Sequence, residues 1–160
     1  MDIEIRDIRG DDRETLLELS LRAWEPVHAS LREALGAVLY DRMIPDWRVS
    51  RRAAVADAID DGETLVRVAL REGEIAGFYA VRIRSEEDMG EVTLLAVDPD
   101  HQRAGVGVAL TGHAVDLIRD QGMGVAMIET GGDEGHAPAR RAYEKAGLAP
   151  LPIVRYFQAL

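Results

Sequence analysis

The stretch VDPDHQRAGVGVALTGHAVDLI, residues 97–118, decides how the chain is read. An apolar strand reaches Asp98-Pro99, a charged turn follows, and Gly105 and Gly107 open an amphipathic helix. The apolar stripe of that helix is Val106, Ala109, Leu110, His113, Ala114, Leu117 and Ile118. Glycine weakens helix formation, so two glycines at a helix start imply that something comes close to the backbone there. A helix N-terminus presents unpaired N–H groups and a partial positive charge. Glycines at that point remove the side chains that would hold a phosphate away. Strand, QRAGVG, helix is therefore a candidate pyrophosphate cradle, with a tight ligand-free turn as the competing reading. Two familiar phosphate loops fail on spacing. A dinucleotide GxGxxG needs glycine where Leu110 stands, and a P-loop needs Gly-Lys-Ser/Thr, with no lysine nearby.

Working outward, EVTLLAV is the strand that leads into this turn, and SEEDMGE is the acidic connection before it. TLVRVAL and EIAGFYAVRIR alternate as two strands around REGE, a hairpin turn. Near the N-terminus, Ile3, Ile5 and Ile8 among charges read as a short half-buried strand. Asp11 or Asp12 caps a helix carrying Leu16, Leu19, Ala23 and Trp24, which Pro26 is expected to interrupt. A second helical run carries Leu31, Leu35, Val38 and Leu39 as far as Pro45. Asp46 caps a third, through Val49, Ala53, Ala56 and Ile59 to Gly62. Beyond Gly122, VAMIE is a buried strand and TGGDEG a loop. APARRAYEKAG is a short helix with Pro138 near its start and Gly147 at its C-cap, and PIVRYFQAL a last strand. The order predicts an α/β fold with a mixed sheet, antiparallel in front and with βαβ units behind.

A chain of 160 residues reads as one domain, residues 1–160. Its formal net charge of -10 argues against a surface that grips nucleic acid or anionic lipid and fits a basic substrate. With no cysteine, disulfides, thiolate metal sites and cysteine nucleophiles are excluded. MDIEIRDIRGDDRE lacks the apolar run of a signal peptide, and no stretch has the apolar length of a membrane helix. A soluble, cytoplasmic protein is the expectation. His28, His101, His113 and His136 show no metal-ligand spacing, so no metal site is expected.

In Gln102, Gly105 and Gly107, with LLAVDP as lead-in, the chain resembles the GNAT (GCN5-related) N-acetyltransferases, whose signature is Gln/Arg-x-x-Gly-x-Gly/Ala after a strand ending Val-x-Pro. AYEKAGL is similar to the family's Tyr-Glu-Lys-x-Gly-Phe segment, and the element order matches over the whole chain. The resemblance implies a mostly antiparallel sheet of about six strands flanked by helices and splayed between strands four and five, where acetyl-CoA binds. By similarity, the N–H groups of Gln102, Arg103, Ala104, Gly105, Val106, Gly107 and Val108 receive the pyrophosphate. The backbone of Leu95, Ala96 and Val97 pairs with the pantetheine arm, and a free N–H near Val97 polarises the thioester carbonyl. Ala104 stands where many members have a cation, leaving Arg103. His136 replaces a common cofactor-contacting asparagine, and Arg140 reaches toward CoA phosphates.

The resemblance also assigns the proton transfers. Tyr143 matches the tyrosine beside the CoA sulfur and would protonate the leaving thiolate; a core tyrosine with a satisfied hydroxyl is the alternative. Glu91 matches the general base of the histone-acetylating branch and would act through water; a solvated strand-end carboxylate or a substrate anchor is the alternative. Trp24, His28, Tyr40 and Trp47 flank the connections that cover the acceptor site in this family, and core packing is the competing reading. The implied function is direct acetyl transfer from acetyl-CoA to a primary amine of a cationic acceptor, with a non-catalytic acyl-CoA-binding regulatory module as the alternative. Too few residues follow Gly147 for the usual final hairpin. A homodimer covering the exposed edge with the C-terminal strand is therefore expected.

Overall fold

In the computed structural model, which describes residues 2–160, the alternating apolar runs become five strands of one sheet. They are β1 (Ile3–Asp7), β2 (Leu65–Arg71), β3 (Glu74–Arg84), β4 (Met89–Val97) and β5 (Val125–Ile128), in that spatial order. The first four pair antiparallel and β4 pairs with β5 in parallel. The hairpin between β2 and β3 turns on Glu72 and Gly73, whose φ values of 57° and 83° are the left-handed pair that a tight two-residue turn needs.

The helices are α1 (Arg13–Leu35), α2 (Ala37–Met43), α3 (Trp47–Asp60), α4 (Val106–Asp120) and α5 (Ala137–Lys145). One face of the sheet packs Val66, Val68, Phe78, Ala80, Leu94 and Ala96 under α1 and α3 through Leu16, Leu17, Leu19 and Val55. The other face packs Tyr79, Val81 and Val92 under α4 through Val106, Leu110, Ala114, Leu117 and Ile118. Asp46 caps α3 by accepting from the Val49 N–H, as its position in the sequence predicts.

Two expectations are corrected. Pro26 does not interrupt the first helix: α1 runs through it for 23 residues. Its two halves pack on the same layer, and that shared burial outweighs the lost hydrogen bond, a defect of about 3 kcal/mol. The break falls instead at Gly36, whose φ of 79° no other residue type adopts readily. The sheet also has five strands, not about six. PIVRYFQAL joins no sheet, and residues 149–160 lie exposed. Pro150 and Pro152 bring no amide N–H to a ladder, and β5, four residues long, offers a short edge. No helix among the described residues is long and apolar enough to cross a membrane.

Candidate active site

The opening stretch folds into the device its glycines imply. β4 pairs with β5 only over residues 89–92. At Thr93 a bulge shifts the register against β3, and the Thr93 hydroxyl donates to the Ala80 carbonyl. Bulges bend a strand and raise its twist. Here the bulge falls where the β5 ladder stops, and residues 93–97 are left with a free edge. Which main-chain groups face that edge follows from alternation. Asp98 N–H donates to the Ala76 carbonyl on β3 at 2.9 Å, so Ala96 also turns its N–H and C=O toward β3, while Leu95 and Val97 turn theirs outward. Leu95 and Val97 can therefore pair with an extended ligand. Ala96 cannot, because its groups are used by β3.

Beyond Asp98 the chain makes a short turn over Pro99–His101, held by the Asp98 carboxylate accepting from Asp100 N–H at 2.9 Å. Arg103 and Gly105 are then both left-handed, with φ of 61° and 84°. Gly105 is the N-cap of α4 and no side chain caps it. The first amide of this helix bonded to a carbonyl is Ala109, to Gly105 at 3.0 Å. Among the described residues the N–H groups of Val106, Gly107 and Val108 have no main-chain partner. Unpaired amides at a helix start, on a backbone without covering side chains, form an anion cradle. The free edge of β4 leads directly into it. Gly105 and Gly107 differ in what they serve. A Cβ at Gly105 meets only open space, whereas one at Gly107 stands 3.6 Å from Ala142 on α5 and 3.6 Å from Val97. Gly105 provides the left-handed turn; Gly107 lets the helix start close onto β4 and α5.

That contact places α5, and with it Tyr143, beside the cradle. Tyr143 is half-buried, burial pushes its phenol up to about 12, and its hydroxyl has no hydrogen-bond partner among the described residues. It stays protonated at neutral pH and is uncommitted. Loop 131–136, which precedes α5, is held by two anchors. Arg140 Nη1 donates to the carbonyls of Gly131 and Asp133 at 2.6 and 2.7 Å, so in this conformation Arg140 braces the loop rather than reaching for a phosphate. The His136 ring is bonded to the Asp133 carboxylate, which also accepts from Ser30 at 2.6 Å.

Glu91 sits in the paired part of β4, opposite Arg82 and Met127. A Cβ at neighbouring Gly90 would strike Ile118 on α4, so Glu91 faces the α1–α3 side. Its carboxylate is ion-paired with Arg84. Six residues separate it from Val97, about 20 Å along a strand. The structure therefore does not bring Glu91 to the Val97 end of the edge; it lies near the closed end, just before Thr93.

The four acceptor candidates do come together. His28 stacks on Trp47, with ring centroids 4.4 Å apart, and its Nδ1 lies 2.9 Å from the Tyr40 hydroxyl. Burial first, then the charge of Arg51, lowers His28 from 6.5 to about 4, so the ring is neutral at pH 7. Trp24 lies under the guanidinium of Arg51, 3.9 Å from its ring centroid. A cavity of about 260 Å³ opens between them, lined by His28, Ile44, Trp47, Ser50, Arg51 and Ala54. α1 carries this wall across the mouth of the site. Arg22 is paired with Asp98 and Asp100 at the end of β4, at 2.9 and 2.8 Å. Ser30 Oγ accepts from Gly135 N–H in the loop before α5 at 2.9 Å. Sequence reasoning missed Arg51 and Arg22. Arg51 lies four residues after Trp47 on one helix, a spacing that puts both on one face, but nothing in the sequence shows which face is lined up with the site. Among the described residues no three histidines or acids converge as metal ligands.

Comparison with known proteins agrees with this geometry. The model of the acetyltransferase (GNAT) family matches residues 17–148. A mycothiol acetyltransferase of Streptomyces coelicolor is 38% identical over 81 residues, which cover 51% of this chain and 26% of that protein. The chain spans less than half the length of the mycothiol acetyltransferases it matches. Among solved structures, a putative GNAT acetyltransferase from Desulfovibrio desulfuricans superimposes with a TM-score of 0.70 at 19% identity, covering 96% of this chain and 89% of that one. A PaiA N-acetyltransferase from Thermoplasma acidophilum, in complex with coenzyme A, gives 0.64 at 18% identity, covering 91% and 89%. At those identities the likeness is one of fold.

Proposed function

Because the chain belongs to the acetyltransferase (GNAT) family, we propose that it transfers an acetyl group from acetyl-CoA directly to a primary amine. The observation that carries this reading is the continuity of the free β4 edge with the uncapped start of α4. An extended arm with an anionic end needs that pair of features. The Gln102 amide, expected to share in the cradle, is directed at the Pro99 carbonyl, so the amides of residues 103–108 take the pyrophosphate. The outward groups of Leu95 and Val97 pair with the pantetheine, and an N–H on this edge polarises the thioester carbonyl, where negative charge develops. The acceptor nitrogen bonds to the acyl carbon and the carbon–sulfur bond breaks. Tyr143 gives its proton to the departing sulfur. With the pyrophosphate at the start of α4, the thioester end of the arm lies toward the closed end of the edge. There Glu91, on the face turned to α1 and α3 and paired at rest with Arg84, takes the ammonium proton through water. With no cysteine in the chain, no acyl-cysteine step competes.

The exposed tail supports an assembly to go with this activity. Leu151, Ile153, Val154, Tyr156 and Leu160 all face solvent. Single exposed apolar residues are ordinary, but a contiguous run is characteristic of an interface. In our reading two copies cover one another with this segment, forming a homodimer.

The function is tested by calorimetric titration with CoA, then by thiol release from acetyl-CoA against a broad amine panel with the product identified by mass. Binding with turnover is expected. Failure to bind CoA overturns the reading, and tight binding with no turnover on any amine leaves the non-catalytic acyl-CoA module in its place.

A further inference from the structure

α3 carries three arginines, and two of them reach carboxylates. Arg48 pairs with Glu25, and Arg52 with Glu14 and Glu18. The third, Arg51, is different. Its Nε is shut off from solvent without a hydrogen bond, and among the described residues the guanidinium has no ion pair, only the face of Trp24. Burial pulls its pKa below the usual arginine value. A chain with 29 acidic residues has many carboxylates to spare, yet the lining of the Arg51 cavity contains none. A desolvated charge left unpaired is costly, and aromatic contact offsets only part of that cost. Any anion that pairs with it must come from outside the cavity lining.

We propose that Arg51 binds the carboxylate of the acceptor, which is then an amine that also carries a carboxylate: an amino acid or a short peptide. This rests on the acetyltransfer reading and deepens it. The planar guanidinium fork matches a carboxylate in a two-point contact. Trp47 and Ile44 supply an apolar wall for the carbon skeleton. His28, neutral and stacked on Trp47, adds no competing charge. α1 supplies His28 to the cavity, Arg22 to the end of β4 and Ser30 to the loop before α5, so one helix borders both the cavity and the cofactor edge. The overall charge of -10 points to a polycationic acceptor. The local charge at this cavity has the opposite sign, and binding follows the local charge, because distant surface charges are screened.

The test uses alanyl-alanine, its C-terminal amide and spermidine as acceptors, with the parent and with Arg51→Met and Arg51→Lys. The parent should favour the free acid over the amide in kcat/KM by about 10- to 100-fold. Arg51→Met should erase that preference, Arg51→Lys should keep part of it, and CoA affinity should be the same in all three. A second readout needs no turnover. Trp24 and Trp47 are the only tryptophans; Trp47 lines the cavity and Trp24 lies against the Arg51 guanidinium. Alanyl-alanine should change the fluorescence saturably in the parent and not in Arg51→Met, while the amide changes neither. Arg51→Met replaces an unpaired charge with an apolar chain, so its melting temperature should not fall. Equal use of acid and amide, or an unaltered titration in Arg51→Met, overturns the proposal. Loss of CoA binding in the parent overturns the acetyltransfer reading instead, and the fluorescence titration still decides Arg51.

Discussion

Gly107 separates two reasons for glycine at the start of α4, and substitution can tell them apart. If the position is bare so that phosphate can approach, any side chain should harm CoA binding. The geometry assigns it otherwise: a Cβ there points at Ala142 and Val97, at 3.6 Å from each, which is ordinary contact. Gly107→Ala therefore keeps the amide N–H on its axis and adds a methyl to an existing gap. It should stabilise the fold by about 0.5–1 kcal/mol through lost unfolded-state freedom, which is about 1–4 °C in a chain of this size. CoA affinity should stay within about twofold, since the backbone donors are unmoved. Gly107→Val is the opposite case. Its γ carbons reach about 1.5 Å further, into contacts already at van der Waals distance, and overpacking of that kind costs about 1–3 kcal/mol. Relief comes from lifting the start of α4 off β4 and α5, which misplaces the cradle and should weaken CoA by more than about tenfold. Urea unfolding and calorimetric titration of parent, Ala and Val variants measure both effects. If Gly107→Ala loses CoA as severely as Gly107→Val while remaining folded, the packing explanation is wrong and the ligand itself needs the bare position.

Three further outcomes are expected. Tyr143→Phe should lower kcat by about 100-fold or more with CoA affinity and melting temperature nearly unchanged, because the hydroxyl bonds no described residue; full activity on every acceptor would remove Tyr143 from the chemistry. His28 has a folded pKa of about 4 against 6.5 for the free group. Between those values the unfolded chain binds a proton that the folded chain refuses, so stability falls as pH drops through that window, by at most about 3 kcal/mol. Urea unfolding of His28→Phe across the same window should show a shallower pH dependence than the parent, and identical slopes would refute the assignment. Light scattering at micromolar concentration should find the full chain dimeric and a chain ending at Leu148 monomeric; a monomeric full chain would sink the dimer.

Much of this protein is legible without coordinates, for local reasons. The hairpin turn at Glu72-Gly73, the Asp46 cap and the glycine-opened α4 each depend on the backbone preferences of a few adjacent residues, and residue type states those directly. The alternation of β2, β3 and β4 likewise follows from one side of each strand being buried. Pro26 reads as a break because its cost is local, while its compensation, the burial of both halves of α1 on one layer, is not. PIVRYFQAL has the composition of a strand, but a strand also needs an edge with donors and acceptors in register, and among the described residues no such partner meets it. The site divides in the same way. Gln102, Gly105, Gly107 and Tyr143 lie in motifs that a sequence displays. The bulge at Thr93, the outward turn of Leu95 and Val97, the bracing role of Arg140 and the unpaired charge of Arg51 do not. Each depends on which groups from distant segments are, or are not, within a few ångströms. Local chemistry is written along the chain; whether a hydrogen bond or a charge is left without a partner is a property of the assembled whole, and only the tertiary structure decides it.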